Sequence, residues 1–200
     1  MGATTGVFIV ASSSKPQQIM ALDRMVAASV KGTPYEGRVE MVGNRQASKG
    51  QLLSTLRYAD STDIVILAGH SGRSPDAATG GNFITNFNGK SQIVTGGEMA
   101  KWASDGSAPK AVIVASCCSN QIAGTINSAT GSDTLGTSVR TVNTENQPGA
   151  VAAAGVVANG GTIDQAAAAA NQYIKTNAGC GRNVGCDVND PVRYEPNPKP

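Results

Sequence analysis

The sequence predicts an α/β domain, a three-layer sandwich in which a mostly parallel central sheet is flanked by helices. Residues 6–11 (GVFIVA), 63–68 (DIVILA) and 111–116 (AVIVAS) are short apolar runs, the last two rich in β-branched residues. Runs of this length and continuity read as strands covered on both faces. Segments with helical spacing of apolar residues lie between them. With 200 residues and 40% hydrophobic content, the chain is long enough for one domain with a substantial core and too short for two.

In chain order, residues 15–30 place Ile19, Leu22, Met25 and Val26 at helical spacing and predict a helix after the first strand. Gly32, Thr33 and Pro34 then turn the chain into residues 38–42, whose alternation of polar and apolar residues predicts a more exposed strand. Leu52, Leu53 and Leu56 predict a helix over 48–58, ahead of the strand at 63–68. Residues 83–94 predict a hairpin turning at Asn88 and Gly89, and 98–103 a short helix before the strand at 111–116. This order of strands and intervening helices implies an open, largely parallel sheet.

Beyond Cys117, residues 119–126 are able to start a helix. The stretch 124–137 is rich in Gly, Ser and Thr and predicts a mobile loop, a good substrate for cleavage during activation. Residues 138–142 are strand-like, and 150–158 are a run of very small residues, in the part of the chain least legible from sequence. Residues 162–175 predict a helix, because Thr162 and Gln165 fit a capping box ahead of an alanine run. The expected organisation is one domain over 1–177 and a loose Gly- and Pro-rich tail over 178–200.

Charge excludes some partners. The net charge of +2 comes from 16 basic and 14 acidic residues spread along the chain, which leaves no footprint for nucleic acid. No apolar run approaches the roughly 18 residues of a membrane-spanning helix, and no signal peptide pattern opens the chain. The four cysteines fall as Cys117 with Cys118 and as Cys180 with Cys186, which is not the spacing of a disulfide framework. A cytoplasmic setting is therefore expected. In an exported protein or delivered effector, Cys180 and Cys186 would be able to close a small disulfide.

The only histidine, His70, stands in LAGHSG directly after a predicted buried strand, at the carboxyl edge where open parallel sheets place their ligands. An isolated surface histidine usually has no role. Cys117 occupies the equivalent place after another strand, in IVASCCSN, and that coincidence favours a shared site. A helix N-terminus and a nearby imidazolium both favour a thiolate, the form a cysteine nucleophile needs.

Strand-Gly-His-Ser-Gly followed by strand-Ala-Ser-Cys-Cys-Ser resembles the His and Cys boxes of caspases, metacaspases and related bacterial caspase-like and CHAT-type peptidases. The spacing from His70 to Cys117 is close to the roughly 50 residues between the two boxes in caspases. The resemblance covers about residues 6–120. It implies a polypeptide substrate, Cys117 as nucleophile, His70 as the acid that protonates the leaving amine, and an oxyanion held by the backbone N–H of Cys117 and one just after His70. Ser71 stands where the family usually has glycine, so the second donor falls to Ser71 or Gly72. Ala115 stands where metacaspases carry an acidic residue that reads a basic substrate side chain. That preference does not carry over, and Arg73 and Arg140 become candidates for contacting an acidic one. Cys118 is the rival nucleophile, its bland role being a small buried side chain.

Other chemistries fit less well. GHSGR lacks the final glycine of a Gly-x-Ser-x-Gly elbow, and no second histidine exists to act as its base. A glutaminase-type enzyme has cysteine before histidine, and a Cys-x5-Arg phosphatase loop would need arginine at Ala123 or Gly124. No phosphate-binding Gly-rich loop followed by Lys and Ser or Thr is present, and one histidine with two distant cysteine pairs does not make a zinc site. No cofactor and no metal are expected. The competing expectation is a catalytically inactive caspase-like module for binding or scaffolding.

Overall fold

The computed structural model describes residues 5–76, 79–138, 143–178 and 194–199. Its sheet is built on the three apolar runs, now β1 (Val7–Ser12), β3 (Ile64–Gly72) and β6 (Ala111–Ala115). β3 lies between β1 and β6 and is parallel to both, with Ile66 opposite Ile9 on one side and Ile113 on the other. β2 (Val39–Val42) flanks β1 in parallel. On the far side β7 (Asp133–Thr137) runs parallel to β6, and β8 (Tyr194–Asn197) closes that edge antiparallel to β7. β4 (Asn82–Phe87) and β5 (Lys90–Thr95) form a hairpin that branches from the end of β3. Asn88 and Gly89 both take positive φ at its turn, 49° and 72°, as a two-residue turn matched to strand twist requires.

Continuous apolarity in the strands is explained by two cores. Side chains alternate across a strand, so Ile64, Ile66 and Ala68 enter one core while Val65 and Leu67 enter the other. The first core is closed by α1 (Leu22–Ser29), α5 (Asn143–Ala158) and α6 (Ile163–Tyr173). The second is closed by α2 (Lys49–Tyr58), α3 (Gly96–Ser104) and α4 (Asn120–Thr130). The result is the three-layer α/β sandwich expected. No helix among the described residues is long and apolar enough to cross a membrane.

Three expectations are corrected by the tertiary contacts. The helix expected over 15–30 is split into a 3-10 turn at Pro16–Gln18 and α1, because Ile19 is extended. The buried Gln147 side chain holds this break, accepting from the Met20 N–H at 2.8 Å and donating to the Gln18 carbonyl.

The mobile loop expected over 124–137 is ordered as most of α4 and all of β7. Its small polar residues bond their own helix. Thr125, Ser128 and Thr130 each donate to the carbonyl four residues back, while Ile122, Ala123 and Ile126 are fully buried. Gly131, with φ of 68°, ends the helix in the left-handed conformation usual for a glycine there. The run at 150–158 belongs to α5, and Ala150, Ala153 and Ala154 pack in the same core as Ala166, Ala167 and Ala170 of α6. A helix buried on most sides shows no amphipathic period, which is why this one is hard to read from sequence.

The tail expected to be loose over 178–200 returns to the domain at 194–199. Tyr194 is buried, packs its ring against Gly149, and donates its hydroxyl to the Asn146 carbonyl. Its backbone exchanges two hydrogen bonds with the Asn171 side chain. Cys180 and Cys186, and four of the five residues of the strand expected over 138–142, lie outside the described residues.

Candidate active site

The parallel part of the sheet ends at a common level. The last parallel pair of β3 with β6 is Ala68 with Ala115, and of β3 with β1 is Gly69 with Ser12. His70 lies two residues past Ala68 on β3, and Cys117 lies two residues past Ala115, in the turn that follows β6. The two strands themselves are neighbours with axes about 4.8 Å apart. Here β3 and β6 diverge in behaviour. β6 stops and turns, whereas β3 continues through His70, Ser71 and Gly72 and pairs antiparallel with β4, His70 opposite Ile84. His70 therefore lies within a strand that runs on past the expected end at residue 68.

Gly69 makes this change of partner feasible. A Cβ there would meet the Ser12 carbonyl oxygen at 2.4 Å and the Phe83 ring at 2.9 Å, so only glycine lets β1, β3 and β4 converge at this level. The Asn86 N–H donates to Ser12 Oγ at 2.6 Å, which fixes β4 beside the end of β1.

The turn that carries Cys117 is held from three sides. Ser71 Oγ donates to Ser116 Oγ at 2.7 Å and lies in hydrogen-bond contact with the Cys117 carbonyl, tying the His70 strand to the Cys117 turn. Ser119 Oγ donates to the Val114 carbonyl at 2.8 Å and accepts from the Thr137 N–H at 2.9 Å. Thr137 Oγ1 donates to the Ser116 carbonyl. Ser116, Ser119 and Thr137 are fully buried. Gly136 lets β7 press on this turn, since a Cβ there would sit 2.7 Å from the Asn120 nitrogen. Satisfied buried polar networks of this kind fix one backbone geometry.

Cys117 and Cys118 are both half-buried thiols. Cys118 takes φ of 48°, a left-handed conformation that costs a non-glycine residue about 1–2 kcal/mol. α4 starts three residues after Cys117, and the side chain of its N-cap residue Ser119 faces β7 instead of capping the helix.

The remaining candidates are dispersed. Ser71 and Gly72 are half-buried on the antiparallel part of β3. The exposed Arg73 donates to the Ser138 carbonyl at 2.7 Å, reaching across to the end of β7. Ala115 is fully buried in the first core, so its side chain is not available to a substrate. Arg140 lies outside the described residues. The supporting hydroxyls of Ser71, Ser116, Ser119 and Thr137 were not singled out from sequence, where Ser and Thr carry no mark of burial. Among the described residues no cluster of three or more His, Cys, Asp and Glu is placed to hold a metal.

No protein-family model matches this chain, and no curated protein matches it closely enough to indicate a relationship.

Proposed function

We propose that this chain is a cysteine endopeptidase of the caspase-like kind, with Cys117 as nucleophile and His70 as its acid–base partner. The observation that carries the reading is that β3 and β6 are parallel neighbours whose last pair, Ala68 with Ala115, is followed within two residues by the single histidine on one side and a cysteine on the other. The clamp from Ser71 to Ser116 and the Cys117 carbonyl supports it, since catalytic groups must be held in place by their surroundings.

In this mechanism the Cys117 sulfur, its proton taken by His70, attacks the scissile carbonyl carbon and forms a C–S bond. The oxyanion is held by the Cys117 N–H and by one further donor. Successive strand residues direct their N–H groups to opposite sides, so only one of Ser71 and Gly72 faces the Cys117 turn while the other faces β4. Collapse breaks the C–N bond, and His70 delivers its proton to the leaving amine. Water then hydrolyses the thioester, releasing the acid and restoring the thiol. Arg73 places a positive charge at the rim, where an acidic substrate side chain would meet it. A nucleophilic thiol suits a reducing compartment, and the cytoplasm is the proposed setting, delivery as an effector being the alternative.

The test is covalent labelling with a thiol-directed peptidyl electrophile, followed by peptide mapping. Folded protein should label at Cys117 and denatured protein at several cysteines. Cys117→Ala should abolish labelling and cleavage. His70→Ala should lower cleavage by roughly 100-fold or more, and Cys118→Ala should leave turnover largely intact. Labelling confined to Cys118 would move the nucleophile by one residue. A folded protein that neither labels selectively nor cleaves would be the inactive binding or scaffolding module instead.

A further inference from the structure

Resting on the dyad reading above, we infer that the face of the β4–β5 hairpin beside His70 is a subsite for apolar side chains on the leaving-group half of a polypeptide substrate. His70 is paired with Ile84, and Ile84 with Ile93, so the three stand in one cross-strand row. Directly paired residues of antiparallel strands present their side chains on the same face, about 5 Å apart. The row starts at the candidate acid and runs away from Cys117 across the hairpin. It ends at Ile93, which is 59% exposed.

The chemistry of the dyad gives this row a direction. His70 protonates the leaving amine, so the amine-bearing half of the substrate lies on the His70 side of the scissile bond. An extended chain advancing about 3.4 Å per residue passes over Ile84 and Ile93 within its first three residues. Alternate side chains share a face, which directs the first and third leaving-side residues onto the row.

The cross-strand neighbours of this row carry no charge. The flanking pairs are Gly72 with Asn82 and Thr95, and Asn86 with Ser91. None is ionised, and the Ser91 hydroxyl is bonded to the Asn86 side chain. Lys49, the nearest cation to Ile93 by hydrogen bonding, is engaged by Glu98 and reaches the Ile93 carbonyl at 3.4 Å. That contact occupies part of the outer edge of β5. The substrate therefore docks by side chains across the row, and not as an added strand.

The experiment uses peptides with a constant acyl half and Leu, Ser, Lys or Asp at the first and third leaving-side positions. Leu is expected to exceed Ser and Asp in kcat/KM by about tenfold, equivalent to 1.4 kcal/mol. Ile93→Ser should reduce that preference several-fold. It should leave unchanged the rate at which an electrophile ending at the scissile carbonyl labels Cys117, which also reports that the variant is folded. A flat preference, or a preference unmoved by Ile93→Ser, with Cys117 labelling intact, overturns the subsite and spares the dyad. Loss of both cleavage and Cys117 labelling in the unsubstituted protein overturns the dyad, and the subsite with it.

Discussion

Cys118, beside the candidate nucleophile, holds a left-handed backbone that its side chain disfavours. Its φ of 48° is enforced by the network that anchors Ser116 and Ser119 on either side. Strain of this kind persists only where the surroundings over-determine it. Cys118→Gly should raise the stability of the protein by about 0.5–1 kcal/mol, less the entropy glycine adds to the unfolded chain. Cys118→Val, with a branched Cβ in the left-handed region, should lower it by about 2 kcal/mol. Urea midpoints of the two variants would separate them in opposite directions. Equal midpoints would mean that the turn relaxes and that its geometry is not imposed by the network. Ser71 makes the complementary point. Its backbone attracts notice in the sequence, while its hydroxyl makes the cross-strand contact in the fold.

At the scale of elements, helix starts are chemically explicit. Ser48 with Gln51, Thr95 with Glu98 and Thr162 with Gln165 all form reciprocal capping boxes. Each such cap contributes about 1 kcal/mol. The Thr95 box is tied to α2 as well, because Glu98 also receives Lys49. The Lys49 hydrogen bond, followed by that of the Thr95 N–H, holds the Glu98 carboxyl below its ordinary range. A carboxylate whose folded pKa is depressed contributes stability above its unfolded value and loses it as the pH falls through the folded one. Thermal unfolding followed from neutral pH down into the acid range should therefore show a Lys49-dependent loss below the ordinary glutamate value. Lys49→Met should flatten that limb. The Glu98 side chain is 40% exposed, so solvent screening limits the effect to under about 1 kcal/mol. An unchanged acid limb in Lys49→Met would assign the depression to the cap alone.

Over the whole molecule, the closing strand β8 joins parts of the chain far apart in sequence. Tyr194 connects α5 and α6, Glu195 accepts from Asn120 at the start of α4 at 2.9 Å, and the Lys199 N–H donates to Asp133. Burial pushes the Tyr194 phenol far above its ordinary pKa, so it remains a hydrogen-bond donor throughout the working pH range. Ending the chain before residue 194 removes a fully packed aromatic ring and uncovers the edge of β7, and should cost about 3–5 kcal/mol. Tyr194→Phe loses only the hydroxyl contact with the Asn146 carbonyl, and should cost about 1–2 kcal/mol. Chemical denaturation of both variants measures the two terms. A truncated chain as stable as the full one would show that β8 adds nothing to the sheet.

The sequence by itself determined the sheet and the two residues proposed for catalysis. Runs such as DIVILA and AVIVAS can be buried on both faces only as central strands, and the only histidine and an adjacent cysteine pair follow two of them. It also determined the hairpin, through Asn88 and Gly89. What it left open depends on contacts between distant residues. Gln147 breaks the first helix by bonding Gln18 and Met20. Small polar residues at 124–137 are ordered by bonding back to α4 and by packing β7 on β6. Tyr194 draws the tail onto Gly149. Only the tertiary structure decided that β3 and β6 are neighbours, with Ala68 paired to Ala115 just ahead of His70 and Cys117, because strand order is set by how helices pack on a sheet and not by any local pattern.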